Sequence, residues 1–405
     1  MMTNHTITIQ TKQTIPNFLI KEVRSKLAYI DPSICHVQVE GSGEVVLSLA
    51  TPPEPTLQAK IEQRATHFVA RLVASAREPK INVLEDYLSI PIHFRDNPME
   101  MLLAAGEVTR EGPGLYSLGP IMTRILRYLQ AHLDAAAFAL GAEPRHFPAM
   151  IPGVYMQKIK YFSSFPHSLT FASHIREEMD TIEKFSKEAC CKDEIIHMPD
   201  NSLAEMRNLL SPAVCYHNYL ALAGQTLNRD PVITTAVGQC FRFESSNMEG
   251  LERLWNFTMW EVIFVGSKAQ VINGITQAAL AGSQLLQRLG LAFRIENAND
   301  PFFIGEFATQ TAYQYAYDLK YEFLARLPHR DSLFAVGSRN YHMDFFGRAA
   351  DIHTSNGDTA HTGCVAFGLE RVAYAFVAQF GINPDHWPAA LRQEIPTPIQ
   401  RIQST

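Results

Sequence analysis

The residues of this chain best suited to chemistry gather in two stretches. The first runs Cys240-Phe241-Arg242-Phe243-Glu244, crosses a polar loop, and resumes as Gly250-Leu251-Glu252-Arg253-Leu254-Trp255-Asn256-Phe257-Thr258-Met259-Trp260-Glu261. Alternation on both sides of the loop predicts an antiparallel hairpin, which puts Arg242, Glu244, Phe257 and Glu261 on one face of a sheet. A guanidinium beside a carboxylate and an aromatic ring on that face suits a nucleotide. The arginine would grip phosphate, the carboxylate would accept from an amino group, and the ring would stack on a base. By spacing alone, a solvated hairpin with one ion pair fits equally well. The second stretch, Gly363-Cys364-Val365-Ala366-Phe367-Gly368-Leu369-Glu370-Arg371-Val372, reads as a strand that enters a helix through glycine and delivers Arg371 at the first turn.

The elements that must position these residues fall into two domains. At 405 residues the chain exceeds one small domain. Residues 1–85 read as a small α/β unit of order β-α-β-β-α. Its strands are Thr6–Gln10, Val37–Val39 and Val45–Leu49, the last two joined through Gly41-Ser42-Gly43, and its helices are Pro16–Ile30 and Pro55–Ser75. Pro79 closes the unit, with a linker near 79–86. Residues 86–405 read as a larger domain of long helices and apolar strands. Pro120 opens a helix over Ile121–Leu140, with Leu126, Leu129 and Leu133 on one face. A strand His146–Pro152 follows, then a helical charged region near Ser173–Lys187, with Cys190-Cys191 continuing as helix. A helix over Pro212–Ala223 carries Cys215 in its first turn. Strands Gln239–Glu244 and Phe257–Val265, a helix Ala269–Leu289 and a last helix Gly368–Phe380 complete the reading.

Composition narrows the function classes. No run reaches the roughly 18 apolar residues of a membrane span, and the N-terminus from Met1 to Thr6 has neither a basic nor an apolar leader segment. Six cysteines without a CxxC pair argue against a disulfide framework and a compact zinc finger, and fit a reducing cytoplasm. Net charge is −6, with 35 Lys+Arg against 41 Asp+Glu, and no basic stripe marks a surface for long nucleic acid. Neither a P-loop nor a GxGxxG is present, so a Rossmann fold is not expected.

Together the two chemical stretches resemble motif 2 (residues 239–265) and motif 3 (363–380) of the class II aminoacyl-tRNA synthetases, with motif 1 near Pro148. Within that class the chain is similar to the atypical, zinc-containing seryl-tRNA synthetases, and more closely to the related amino acid:[carrier protein] ligases. That closer resemblance rests on Val214-Cys215-Tyr216-His217, Leu254–Met259, Asp300-Pro301-Phe302-Phe303, Asn340–Gly347 and His361–Arg371, and spans about 90–395. It implies an α+β fold, an antiparallel sheet flanked by helices, preceded here by the small N-terminal unit.

The resemblance also implies roles. Arg242 and Arg371 would be the catalytic arginines. Arg242 would hold the α-phosphate of ATP and the attacking carboxylate, Glu244 would meet the adenine amino group, and Phe257 would stack on adenine. Arg253 and Arg371 would hold the distal phosphates, with magnesium screening charge. Cys215, Glu261 and Cys364 would bind a zinc ion whose open position takes the substrate amino group. Ser338 and Asn340 fall near the amino-acid pocket. Seryl-tRNA synthetases carry a glutamate before the strand equivalent to Phe334–Asn340; no acid stands there, which leaves the number of magnesium ions and their ligands open.

The expected acceptor is the phosphopantetheine thiol of a carrier protein, with glycine, alanine or serine as the amino acid. No heptads mark the long coiled coil of an ordinary seryl-tRNA synthetase, so tRNA is not the expected partner. A seryl-type tRNA synthetase and an adenylate-forming amide or ester ligase are the alternatives. The fold implies a homodimer joined through motif 1.

Overall fold

The computed structural model describes residues 5–11, 13–40, 43–75, 78–92, 94–248, 250–300, 314–315 and 317–395. Near the N-terminus, strands His5–Gln10, Glu44–Leu49 and Ile34–Val39 form an antiparallel sheet with Glu44–Leu49 in the centre. Period-two alternation drives it: Ile7 and Ile9 are buried while Thr6 and Thr8 are exposed. Helices Asn17–Leu27 and Pro55–Ser75 supply Leu19, Val23, Leu27, Ile61, Ala65, Val69 and Leu72 to the same core. Full burial of each large aliphatic side chain contributes about 1.5–3 kcal/mol. The turn residues Gly41 and Ser42 lie outside the described residues.

The segment expected as a linker holds a strand. Val83–Asp86 pairs with Phe293–Asn297 and forms one edge of the main sheet. That sheet has eight strands in the order Val83–Asp86, Phe293–Asn297, Lys320–Leu327, Ser332–Met343, His361–Gly368, Asn256–Gly266, Val232–Phe241 and Glu143–Pro144. Every pairing is antiparallel except the last.

One face of the sheet packs against helices Pro120–Ala139, Lys268–Arg288 and Leu369–Phe380. Trp260, Val262, Phe264, Phe323, Val336, Val365 and Phe367 point into that core. Local sequence fixes the helix starts. Ser267 and Gln270 form a capping box. Pro120 stands at the first turn, where the Glu107 carboxylate accepts from the Ile121 and Met122 N–H groups at 2.8 and 3.2 Å. At Gly282 a Cβ would lie 2.6 Å from Phe367 Cζ, so glycine lets the helix approach the sheet. Among the described residues, no helix is long and apolar enough to cross a membrane.

Several elements differ from expectation. The strand around motif 1 spans only Met150–Pro152 and joins a separate small sheet with Asn208–Leu210 and Phe171–Ala172. Pro148 precedes it in irregular backbone, because proline has no N–H for a ladder. Cys190 and Cys191 are strand, not helix: Cys190–Lys192 pairs with Ile195–His197 through Asp193 and Glu194, both at positive φ. The charged region is helical only over Met179–Glu188. The Pro212–Ala223 helix begins at Cys215 and ends at Ala221, and the Gln239–Glu244 strand ends at Phe241.

Candidate active site

The register of the main sheet brings the candidate residues to its second face. Along Asn256–Gly266 the odd positions Phe257, Met259 and Glu261 share that face, opposite Cys240, Gly238 and Ala236 of the preceding strand. On the other side Glu261 faces Ala366 and Ile263 faces Cys364, so Glu261 and Cys364 are diagonal neighbours. Cys364 in turn faces Asn340, and Ala366 faces Ser338. Lys320 faces Asn340 and Glu322 faces Ser338 on the next strand. Arg242 and Glu244 lie just past their strand, where the Arg242 N–H bonds Trp255 C=O at 2.9 Å. A cavity of about 680 Å³ opens above this face, lined among others by Arg242, Glu244, Phe257, Glu261, Cys364 and Arg371. This volume is in the range of small-molecule sites.

Cys215 reaches the sheet from above. It is the first residue of its helix, set by the turn at Ser211-Pro212, where Ser211 Oγ donates to Ala213 C=O at 2.9 Å. Ligand atoms of Cys215, Glu261 and Cys364 lie within 4.8 Å of one another, all buried. Their protons are held tightly. The Cys215 thiol is pushed well above the ordinary range by its hydrogen bond to Cys364 and by burial. At Cys364 the bond from Cys215 pulls the pKa down, but burial and the Glu261 charge leave it raised. Burial lifts Glu261 to about 7. Its Oε2 has no hydrogen-bond partner among the described residues. Two thiols and a carboxylate this close in a dry site must keep protons or share a cation. Such donors have the softness and number that suit zinc.

The nucleotide side is cationic. The Arg242 guanidinium donates from Nε to Pro212 C=O at 3.0 Å and lies 5.4 Å from the Phe257 ring centroid. Glu244 is paired with Arg253. Burial would raise the Glu244 pKa, but Arg253, Arg371 and Arg242 hold it below the usual carboxylate value. Arg371 donates from Nη1 to Ala335 C=O at 3.2 Å, and burial lowers its pKa. Beside it, Glu370 accepts the Thr258 N–H on both oxygens at 3.0 and 2.9 Å, which ties the motif 3 helix to the hairpin. Asn340 donates from Nδ2 to Ser338 Oγ at 2.9 Å and approaches Cys364 Sγ at 3.7 Å.

Residues the motifs did not reveal also line the cavity. Lys320 bridges Asp300 at 2.8 Å and Glu322 at 3.2 Å. Burial opposes its charge, and the two carboxylates raise its pKa nonetheless. Gln314 donates to Asp300 at 2.7 Å. The period-two placement of Lys320 and Glu322 opposite Asn340 and Ser338 was the available signal. Of the phrase beginning at Asp300, Pro301 to Phe303 lie outside the described residues. Behind Cys215, half-buried His342 meets Tyr219 Oη and Thr362 Oγ1, each at 3.3 Å.

Comparison with known proteins agrees with this architecture. Residues 201–380 match the tRNA synthetase class II core domain (G, H, P, S and T). A type-2 serine–tRNA ligase of Methanocaldococcus jannaschii is 26% identical over 97% of this chain and 77% of its own length. Amino acid–[acyl-carrier-protein] ligases 1 and 2 of Bradyrhizobium diazoefficiens are each 30% identical, over 67% and 73% of this chain and 80% and 87% of theirs. A solved M. kandleri SerRS in complex with A. aeolicus tRNASec has the same fold, with a TM-score of 0.68 at 21% identity over 97% of this chain and 77% of that one. The chain therefore belongs to the class II tRNA synthetase family of adenylate-forming ligases, among relatives that include both serine–tRNA ligases and amino acid–carrier-protein ligases.

Proposed function

We propose that this chain activates a small free amino acid with ATP and transfers it to the phosphopantetheine thiol of a carrier protein. The observation that carries the activation half is the buried Cys215, Glu261 and Cys364 cluster in the same cavity as Arg242 and Arg371. A site for an amine then lies beside a site for phosphate.

Cys215, Glu261 and Cys364 hold zinc in this reading. When bound, the ion would supply a Lewis-acid site for an unprotonated amino group, which would favour free amino acids over N-acylated ones. Arg242, fixed by Pro212 and Phe257, draws the substrate carboxylate and the α-phosphate together. A carboxylate oxygen forms a bond to the α-phosphorus as the bond to the bridging oxygen of diphosphate breaks. Glu244 accepts from the adenine amino group and Phe257 stacks on the ring. Arg253 and Arg371, with magnesium, take the charge that builds on the leaving diphosphate. In the second half the carrier thiol gives its proton to solvent, its sulfur bonds the aminoacyl carbonyl carbon, and the bond from that carbon to the phosphate oxygen breaks as AMP leaves.

Support for a protein acceptor comes from two places. The two carrier-protein ligases are 30% identical over most of their length. The helix Met179–Glu188 between motifs 1 and 2 has no buried residue and exposes Met179 and Ile182 among charges of both signs. Such a face, with exposed apolar side chains and no basic stripe, suits a protein partner better than an RNA backbone. Exposed Met150, Val154, Phe171 and Met206 around the small motif 1 sheet suit a homodimer contact. One observation favours tRNA instead: the serine–tRNA ligase relative aligns over 97% of this chain, so its similarity extends into the N-terminal unit.

The test offers purified protein ATP, magnesium and a labelled amino-acid mixture, with bulk tRNA and a phosphopantetheinylated carrier protein both present. Label on the carrier, resistant to ribonuclease and released by cysteamine, is the expected result. Label in a ribonuclease-sensitive fraction would replace the carrier with tRNA.

A further inference from the structure

The backbone of Arg242 lies past the end of its strand, so the ladder of the sheet does not by itself fix it. Phe241 opposite Asn256 is the last rung of the hairpin, and one bond continues the register: the Arg242 N–H donates to Trp255 C=O at 2.9 Å. Trp255 is itself tied down elsewhere. Its N–H donates to Gly114 C=O at 2.9 Å, its indole Nε1 donates to Thr170 Oγ1 at 2.8 Å, and its ring meets the Phe243 ring edge-on at 5.0 Å. Gly114 has φ +68°, and a Cβ there would lie 2.8 Å from the Trp255 nitrogen, so glycine is what lets the two backbones come this close.

Thr170 is anchored independently of the hairpin. Its C=O accepts the N–H of Leu210 at 2.9 Å, the last residue of the strand Asn208–Leu210, and it directly precedes the strand Phe171–Ala172 of the same small sheet. Neighbouring segments grip both residues that flank Arg242. The Phe241 N–H donates to Ser211 C=O at 2.9 Å and the Phe243 N–H to Ser168 C=O at 3.2 Å. From the other side the N-terminal unit meets the loop, where Tyr29 Oη donates to Phe243 C=O at 3.3 Å and Asn247 Nδ2 to Ser25 C=O at 3.0 Å. A guanidinium that must meet a reacting phosphate to within about 0.5 Å depends on support of this kind from behind it. Neither Trp255 nor Thr170 lines the cavity, so among the described residues their reach to the site runs through Arg242.

We propose that the hydrogen bond between Trp255 and Thr170 is the brace that sets Arg242, which makes both of them positioning residues for adenylation. This rests on the adenylation reading given above and adds to it residues that touch neither nucleotide nor amino acid. The indole bond joins the motif 2 loop to a separately anchored part of the chain. Without it the Trp255 ring turns, its carbonyl moves with it, and the main chain of Arg242 follows. The cost falls on the group that meets the reacting phosphate, not on the fold at large.

The test is a double-mutant cycle on amino-acid-dependent ATP–diphosphate exchange with the full chain, comparing wild type, Thr170→Val, Thr170→Ser, Trp255→Phe, Arg242→Ala and the combination of Arg242→Ala with Thr170→Val. Thr170→Val is expected to lower kcat about five- to tenfold, the worth of one neutral hydrogen bond. Thr170→Ser keeps an acceptor and recovers most of the loss. Trp255→Phe breaks the same bond from its other end and gives a fall of similar size, which supplies the reading if Thr170→Val does not fold. In the Arg242→Ala background Thr170→Val changes the remaining rate by less than about twofold, because the group it positions is gone. Equal factors in the two backgrounds overturn the assignment, since a purely structural loss acts on both alike. A folded Thr170→Val or Trp255→Phe enzyme with unchanged kcat overturns it as well. Absence of exchange in the wild type overturns the adenylation reading itself, and is thereby distinguished from failure of the brace.

Discussion

Replacing Arg242 with alanine removes the group that the geometry prepares most completely. Its Nε is committed to Pro212 C=O at 3.0 Å and its plane is held near Phe257, so among the described residues both terminal nitrogens remain for ligand oxygens. Two charge-assisted hydrogen bonds, each about 1.5–3 kcal/mol, set an upper range, and loss of one preorganised transition-state donor typically costs about 2.7–4 kcal/mol. Arg242→Ala is therefore expected to lower kcat/KM for ATP–diphosphate exchange by about 10²–10³. Arg242→Lys does not restore it, because a single ammonium lacks the planar fork. Circular dichroism and thermal melting confirm that the variants are folded. A folded Arg242→Ala enzyme within tenfold of wild type would refute the assignment of this arginine to the reacting phosphate.

Other outcomes follow from the same structure. Cys215→Ser lowers zinc content and activity together, measured by elemental analysis and exchange on one preparation; full activity in a metal-free variant would refute the zinc assignment. His342 is half-buried, and desolvation depresses its pKa to about 4. Between that value and the ordinary 6.5 the unfolded chain binds the extra proton, so stability is present above pH 6.5 and falls as pH drops toward 4. The loss is up to about 3 kcal/mol, read by denaturant titration at several pH values, and His342→Gln flattens it. Gly337→Ala would place a Cβ 2.5 Å from the Phe367 ring and 2.8 Å from Ala366 C=O. It is expected to destabilise by about 1–3 kcal/mol in chemical denaturation, and an unchanged midpoint would show that the strand can shift.

Much of the site was readable because sheets alternate. Once the hairpin is paired, the parity of Phe257 and Glu261 follows from sequence, and the diagonal to Cys364 follows from one more strand. Spacing alone does not join Cys215 to those residues; the family resemblance named the trio, and the turn at Ser211-Pro212 delivers it. The docking of Tyr29 on Phe243 and Asn247 on Ser25 spans more than 200 residues and involves ordinary polar side chains, which leave no periodic mark. The hairpin at Cys190 was misread because Asp193 and Glu194 turn at positive φ without a glycine to signal it. Motif 1 proved shorter than its apolar pattern, since Pro148 interrupts any ladder before Met150.

In the proposed reaction one face of the eight-stranded sheet joins an amine site to an ATP site. Exchange of labelled diphosphate into ATP tests it most directly, with zinc-replete protein and each of glycine, alanine and serine, and with their N-acetyl forms as controls. Exchange is expected with at least one free amino acid and with no N-acetyl form. Exchange that is indifferent to N-acetylation, or absent with every free amino acid, would contradict it.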